Sequence, residues 1–483
     1  MRRSRFGALL ALAAVLSGCG GGGGGGSGSN TGGAPTAVVP TPAPTTSATC
    51  SLRDRQDWAA AQLREWYLFP ETLPAALDPA GYGTVDDYVD ALTATARAQR
   101  KDRYFTYLTS IREENAFYSQ GASAGFGFRL SFDAATRRVL IAEAFEGAPA
   151  LAAGVDRGAE IIGIGASASS VRNVSDILAA EGGQGVSNAL GPDTAGTTRV
   201  LRIADASGTR DVTLAKTEYE LSPVSSRYGA RIIQDGGRQV GYLNLRTFIG
   251  TADEQLRAAF ASFRAVGVTE LIVDFRYNGG GLVSIAELMG DLLGANRTGA
   301  DVFSYVAFRP EKAEFNETRF FSPQPESVAP ARIAFIGTGA TASASEKVIN
   351  AMVPYLGANA ALIGTNTFGK PVGQIARDRE QCDDRLRVVA FASQNRDRRG
   401  DYYDGLAATV RASCAAADDL RYPLGDPREA SVRAALDFLA GRACSSIASA
   451  GREASLRGAR SGARELLTPE RPSTAQREVP GAF

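Results

Sequence analysis

The 483-residue sequence contains no histidine, and that absence removes the imidazole on which a Ser-His-Asp triad depends for its proton transfer. Lysine is scarce too. Lys101, Lys216, Lys312, Lys347 and Lys370 are the complete set, so few side chains are available as an amine base. Net charge is lacking: lysine plus arginine number 52, and so do aspartate plus glutamate. That balance leaves neither the basic footprint of nucleic-acid binding nor a strong field to steer a charged partner, and no nucleic-acid partner is expected. There is no C-x-x-C pair among the 5 cysteines, which together with the missing histidine argues against a metal site. A hydrolase built from this composition has to take its base from elsewhere.

What is present starts with "MRRSRFGALLALAAVLSGCGG", where Arg2, Arg3 and Arg5 precede an apolar run too short to span a membrane. Such a segment reads as a secretory signal. Its end, Leu16-Ser17-Gly18-Cys19, resembles a bacterial lipobox. This implies that residues 1–19 are a lipoprotein signal peptide, that Cys19 is lipidated and anchors the chain to a membrane, and that the protein faces the periplasm. Gly20 after the cysteine favours the outer membrane. Residues 20–49 are a tether, a Gly/Ser coil followed by a stiffer Pro/Thr spacer. Cys50, Cys382, Cys414 and Cys444 remain, an even number in an oxidising compartment, and three pairings are open.

At this length two or three domains are expected, and the pattern implies a multi-domain α/β chain. Residues 50–118 carry apolar residues at spacings of three and four and form a helical subdomain. Residues 119–220 alternate as strands between glycine-rich turns. From 221 to 444 the pattern is strand, helix, strand. "VGYLNLRTF" alternates, Thr251 and Glu254 read as a capping box, and "ELIVDF" is an apolar run typical of a strand covered on both faces. "RIAFIG", "SEKVINAMVPYL" and "AALIG" repeat the unit, giving an α/β core with right-handed crossovers. Residues 445–483 are polar and arginine-rich and are read as a disordered tail.

Three segments of the core carry candidate chemistry. "GATASASE" leaves a buried strand for a helix, placing a serine where unpaired N–H groups and the helix dipole favour an oxyanion. Serine is equally an ordinary helix cap. "RYNGGG", residues 276–281, ends another buried strand at the edge where α/β sheets place ligands, and its glycines let backbone N–H groups approach a substrate oxygen. A tight turn explains the same glycines. "NTFGKPVGQ", residues 366–374, brings Lys370 to that edge. Its rival, Lys347, stands four residues after Ser343 on a helix, where a lysine is usually solvated.

In this order and separation the segments resemble the C-terminal processing (tail-specific) proteases, serine/lysine endopeptidases with a PDZ domain. The family's "DLRNNPGG", "GSASASE" and "FGKGxVQ" stand here as "DFRYNGGG", "GATASASE" and "FGKPVGQ". The resemblance implies an α/β protease core of crotonase/Clp-like type, with Ser343 as nucleophile and Lys370 as base. Gln374 would orient the lysine, Glu346 would be a supporting acid, and the N–H groups of Gly280 and Ala344 would be the oxyanion donors. "AGFGFRL" and "GAPALAAGVDRGAEIIGI" are similar to PDZ segments, which makes 119–220 a PDZ domain binding a peptide carboxylate through Gly125, Phe126, Gly127 and Phe128. Departures are Gly279 for the family's proline, Pro371 for its glycine after the lysine, and Ala159 for the usual PDZ aspartate.

The implied function is an envelope-anchored serine endopeptidase cleaving proteins near a nonpolar C-terminus, needing neither metal nor other cofactor. Its partners are proteins or peptides with free apolar C-termini; no adaptor is identified by the sequence. Two rivals are an inactive PDZ-type peptide-binding lipoprotein and an acyl-thioester enzyme on a crotonase-like core, against which the export signal counts. The chain's own end, "EVPGAF", is itself an apolar C-terminus, so it is a candidate both to occupy the groove and to be trimmed.

Overall fold

Alternation along "ELIVDF" puts Leu271 and Val273 on one face of the strand Glu270–Asp274 and Ile272 on the other, and both faces are covered. In the computed structural model, which describes residues 50–448 and 464–483, this strand is the centre of a six-stranded sheet. The order is Ala230–Asp235, Arg238–Asn244, Glu270–Asp274, Arg332–Gly337, Ala360–Gly364 and Ala412–Ala415. All neighbours are parallel except the first pair. Sheet order follows chain order, so every crossover advances by one strand. The helices Ala252–Ala265, Val283–Leu292 and Ala344–Leu356 cover one face, and Ala430–Leu439 covers the other. The expected capping box at Thr251 does not form: Thr251 is itself helical and its hydroxyl has no partner. The signal peptide, Cys19 and the tether lie outside the described residues. No helix among the described residues is long and apolar enough to cross a membrane.

A second sheet carries the hairpin Val372–Arg379/Asp384–Gln394, to which Tyr107–Ser110 and Val302–Phe308 add. The N-terminal helices Leu52–Trp66 and Val85–Leu92 pack on this hairpin, Ala59, Leu63 and Val89 joining Val372, Leu386 and Val388 in one apolar cluster. The helical subdomain is therefore built against the core rather than beside it. Of the open cysteine pairings, Cys50–Cys382 pins the first helix to the hairpin turn and Cys414–Cys444 ties the last core strand to the segment after Ala430–Leu439. The first bridges 332 positions of sequence, the kind of long loop whose closure most restricts the unfolded chain.

Residues 119–220 fold as a β-rich module. Phe128–Asp133, Arg138–Ala144, Glu160–Gly165, Thr198–Asp205 and Gly208–Ala215 form an antiparallel sheet in that order, with the helix Val174–Leu190 packed on it. The module is locked to the core through buried arginines: Arg129 Nη1 donates to Tyr277 O at 2.9 Å, and Arg157 Nη1 donates to the Tyr277 hydroxyl at 3.0 Å.

The expectation of a disordered tail from residue 445 is corrected at residue 464. Glu465–Leu466 pairs with Phe132 and Ser131 at the outer edge of Phe128–Asp133, and Gly481 to Phe483 return to the same edge. Thr474–Glu478 forms a short helix between them. Composition misleads here because the few apolar residues, Leu467, Val479, Ala482 and Phe483, all fit grooves of the folded body and are buried.

Candidate active site

Three neighbouring parallel strands deliver three loops to one edge of the core sheet. Residues 275–281 follow Glu270–Asp274, residues 338–343 follow Arg332–Gly337, and residues 365–371 follow Ala360–Gly364. This is the carboxyl edge, where open α/β sheets form their clefts.

Ser343 sits at the entry to Ala344–Leu356 with φ 55° and ψ −112°, a conformation that a non-glycine residue adopts only when its surroundings enforce it. Part of the enforcement is its own N–H, which donates to Glu346 Oε2 at 3.0 Å. Part is the turn opposite. A Cβ on Gly280 would stand 2.8 Å from Ser343 Cβ and 3.2 Å from both Ser343 Oγ and Ala344 N, so only glycine allows the approach. Ser345 is buried and its hydroxyl donates to Asn278 O at 3.2 Å. Of the two serines, Ser343 is the one left half-buried at the edge.

Glu346 joins the serine loop to the lysine loop. Its Oε2 accepts the N–H groups of Ser343 (3.0 Å) and Lys370 (2.7 Å), and its Oε1 accepts the Gly369 N–H (2.7 Å) and the Thr367 hydroxyl (2.6 Å). One buried carboxylate thus fixes the backbone of both candidate residues. Burial pushes its carboxyl above the ordinary range, against the pull of these donors.

Lys370 Nζ donates to Gln374 Oε1 at 2.8 Å, and Gln374 Nε2 donates to Phe105 O. The ammonium lies 5.1 Å from the centroid of the Phe105 ring. Among the described residues it makes no ion pair. Burial lowers the Lys370 pKa below the ordinary lysine value; the Glu478 carboxylate works against this and the Arg477 guanidinium adds to it. Burial therefore shifts Lys370 toward its neutral form relative to an ordinary lysine.

Two expectations change. The Gly280 N–H, expected to face a substrate oxygen, is donated to Asn278 Oδ1 at 2.9 Å. Lys347, expected to be solvated, is only 5% exposed and its amine has no hydrogen-bond partner. It is buried because its helix is packed between Val283–Leu292, the core sheet and the second sheet.

Three contributors were not singled out from sequence. Asn278 donates to Leu245 O and accepts from Gly280 and Ala342; its signal is an asparagine heading a glycine turn, where it captures backbone groups. Phe105 walls the lysine. Arg103 holds the lysine loop through Phe368 O (2.7 Å) and Gly369 O (2.6 Å). Both come from a segment far away in sequence, and no local pattern marks them.

The Gly125–Phe128 loop is occupied. Phe483 O accepts the N–H groups of Gly127 (2.9 Å) and Phe128 (3.4 Å), and the Phe483 N–H donates to Phe128 O at 3.0 Å. A Cβ on Gly125 would fall 2.5 Å from the carbonyl carbon of Phe483. Phe126 is turned inward, fully buried in the module's core.

Residues 239–401, which hold all three loops, match the sequence profile of Peptidase family S41. The chain carries a peptidase family S41 domain. The chain is 26% identical over 279 residues to Carboxyl-terminal-processing peptidase 3, chloroplastic, of Arabidopsis thaliana, covering 55% of this chain and 49% of that protein. It is 28% identical over 277 residues to C-terminal processing peptidase, chloroplastic, of Tetradesmus obliquus, covering 53% of each. The match spans about half the length of these curated relatives. An S41 protease crystal structure from Bacteroides fragilis superposes with TM-score 0.60 at 23% identity, covering 80% of this chain and 97% of that one, which shows a shared mixed α/β fold.

Proposed function

We propose that this protein is an envelope-anchored serine endopeptidase that cleaves proteins near a nonpolar C-terminus by a Ser343–Lys370 acyl-enzyme mechanism, its β-rich module acting as a PDZ domain for the substrate's tail. Neutral Lys370 takes the Ser343 hydroxyl proton as Oγ bonds to the scissile carbonyl carbon. The lysine ammonium returns that proton to the leaving amine as the C–N bond breaks. Lysine then takes a proton from water, whose oxygen attacks the ester, and the acid product leaves with Ser343 reprotonated. Ala344 N–H, at the positive end of its helix, and Gly280 N–H are the oxyanion donors. Gly280 serves once its peptide turns away from Asn278. The membrane anchor at Cys19 and an outer-membrane address complete the reading, which for these rests on the N-terminal sequence.

The observation that carries the proposal is the Glu346 clamp, which holds the Ser343 and Lys370 backbones on one carboxylate oxygen while the half-buried Lys370 amine makes no ion pair among the described residues. A serine-directed acylating probe tests it. Intact mass should show one adduct, lost in Ser343→Ala and in Lys370→Arg. An unlabelled but folded wild-type chain that still binds a reporter peptide would favour the second reading, a peptide-binding lipoprotein. The Gly280 N–H turned onto Asn278 is the observation on that side.

A further inference from the structure

The last residues of the chain touch both places where a substrate would bind. At one end, Gly481 to Phe483 lie antiparallel to Phe128–Asp133: Leu130 N–H donates to Gly481 O (2.8 Å), Phe483 N–H donates to Phe128 O, and the terminal Phe483 O sits on the Gly127 and Phe128 N–H groups. This is the strand addition with carboxylate capture by which short peptides are recognised. The Phe483 ring, 3% exposed, joins the apolar cluster of Phe126, Val186 and Leu190. At the other end, the helix Thr474–Glu478 rests on the glycine turn that faces Ser343. Gly279 N–H donates to Glu478 O at 3.0 Å, and the Tyr118 hydroxyl donates to Glu478 Oε1 at 2.9 Å. Arg477 donates to Tyr104 O at 3.1 Å and stacks 3.9 Å from the centroid of the Tyr107 ring.

Gly279 is where the chain departs from the motif it resembles, and the departure is what the tail requires. A proline there would have no N–H for Glu478 O, and a Cβ would fall 2.2 Å from Arg477 O. The tail does not lie as a substrate. Arg477 N–H donates to Ser473 O and Val479 N–H to Ala475 O, so this stretch is helical rather than extended, and the neighbouring Gly280 N–H is spent on Asn278.

We propose that residues 464–483 are a built-in competitor: residues 481–483 fill the groove beside Gly127 and Phe128 while the helix Thr474–Glu478 covers the Ser343–Lys370 edge, and a peptide with a free carboxylate on a terminal aromatic or large apolar residue displaces them. The closure of the site rests on the peptidase reading above; the groove competition does not. A tethered end acts at an effective concentration on the order of millimolar, so an external peptide meets a strong rival until the tail is released.

The test uses the fluorescently labelled hexapeptide EVPGAF, as free acid and as C-terminal amide, titrated by anisotropy into two chains carrying Ser343→Ala: the full chain and one ending at Pro472. The shortened chain should bind the acid at least tenfold more tightly than the full chain, and the amide far more weakly than the acid. Equal affinity in the two chains, or an amide that binds like the acid, overturns the proposal. Phe483→Asp in the full chain should give the same gain for the added peptide, which covers the case of a shortened chain that fails to fold. With Ser343 intact, the shortened chain should turn over a reporter ending in phenylalanine at least tenfold faster. A binding contrast with no turnover in either chain sinks the peptidase reading and leaves the groove competitor standing; turnover equal in both sinks the closure. A wild-type mass lacking tail residues that Ser343→Ala retains makes the tail a substrate and overturns the proposal.

Discussion

Lys347 is buried and Lys370 half-buried, neither makes a close ion pair as buried Lys216 does with Asp193, and the regions around the first two differ in the one respect that matters for a base. Burial lowers the pKa of both Lys347 and Lys370. Lys370 stands at the carboxyl edge of the sheet, its amine fixed by Gln374, which is fixed in turn by Phe105 O. Lys347 stands inside the helix layer, 4.0 Å from Glu287 Oε1, with no hydrogen bond and the Phe303 ring 5.8 Å away. Desolvation alone therefore does not make a base. In the proposed mechanism it does so where the amine is also aimed and the loop carrying it is tied to the Ser343 loop.

The largest expected effect separates the two lysines directly. Lys370→Arg, which keeps charge and bulk but cannot give up its proton, should lower turnover of a reporter peptide by about 10³-fold or more, within the range for losing a general base. Lys347→Met should leave kcat/KM nearly unchanged. The reverse pattern would move the base into the helix and undo the assignment.

Cutting the tie between the loops comes next. Glu346→Gln keeps the shape but loses the charge from four hydrogen bonds, each worth about 1.5–3 kcal/mol when made to an ionised group. Turnover should fall by roughly 10–100-fold with KM little changed, because the loops lose their mutual placement rather than their grip on substrate. A change confined to KM would show that the carboxylate serves binding instead.

A smaller effect reads the amine itself. In the proposed mechanism the active form is neutral lysine, so kcat/KM of the wild type should rise as pH rises through the lowered Lys370 pKa, below the ordinary value of about 10.4. Gln374→Glu places an anion against the amine, favours its protonated form, and should shift that limb upward by about one unit or more. An unmoved limb would mean that it reports some other group.

Much of this was legible in the sequence because it is local. Alternation in "ELIVDF" and the repeated strand-helix units give the core, and short motifs carry Ser343 and Lys370 on two of the loops and Glu346 and Gln374 just beyond them. The remainder depends on contacts between distant segments. Phe105 and Arg103 reach the lysine loop from the N-terminal region. The burial of Lys347 follows from sheets that close over its helix and not from its neighbours in sequence. The tail looked disordered because its few apolar residues find grooves made by residues far away in sequence, as Phe483 does with Phe126 and Val479 with Ile249.

The smallest effect concerns stability at Lys347. A lysine whose folded pKa lies below its unfolded value binds fewer protons when folded, so stability rises with pH from the lowered folded value up to the unfolded value near 10.4. At neutral pH the protein either buries an ammonium without a hydrogen bond or keeps it deprotonated, and both cost stability. Lys347→Met keeps the length of the side chain, meets Phe303 with a thioether, and removes that cost. Replacing poorly paired buried charge with apolar side chains of similar volume stabilises by about 1 kcal/mol or more. The guanidinium midpoint of the variant should therefore rise at pH 7, and the rise of stability with pH seen in the wild type should flatten. A lower midpoint would mean that Glu287, left without its distant partner, loses more than the lysine's burial costs, making the 4.0 Å pair a net stabilising contact.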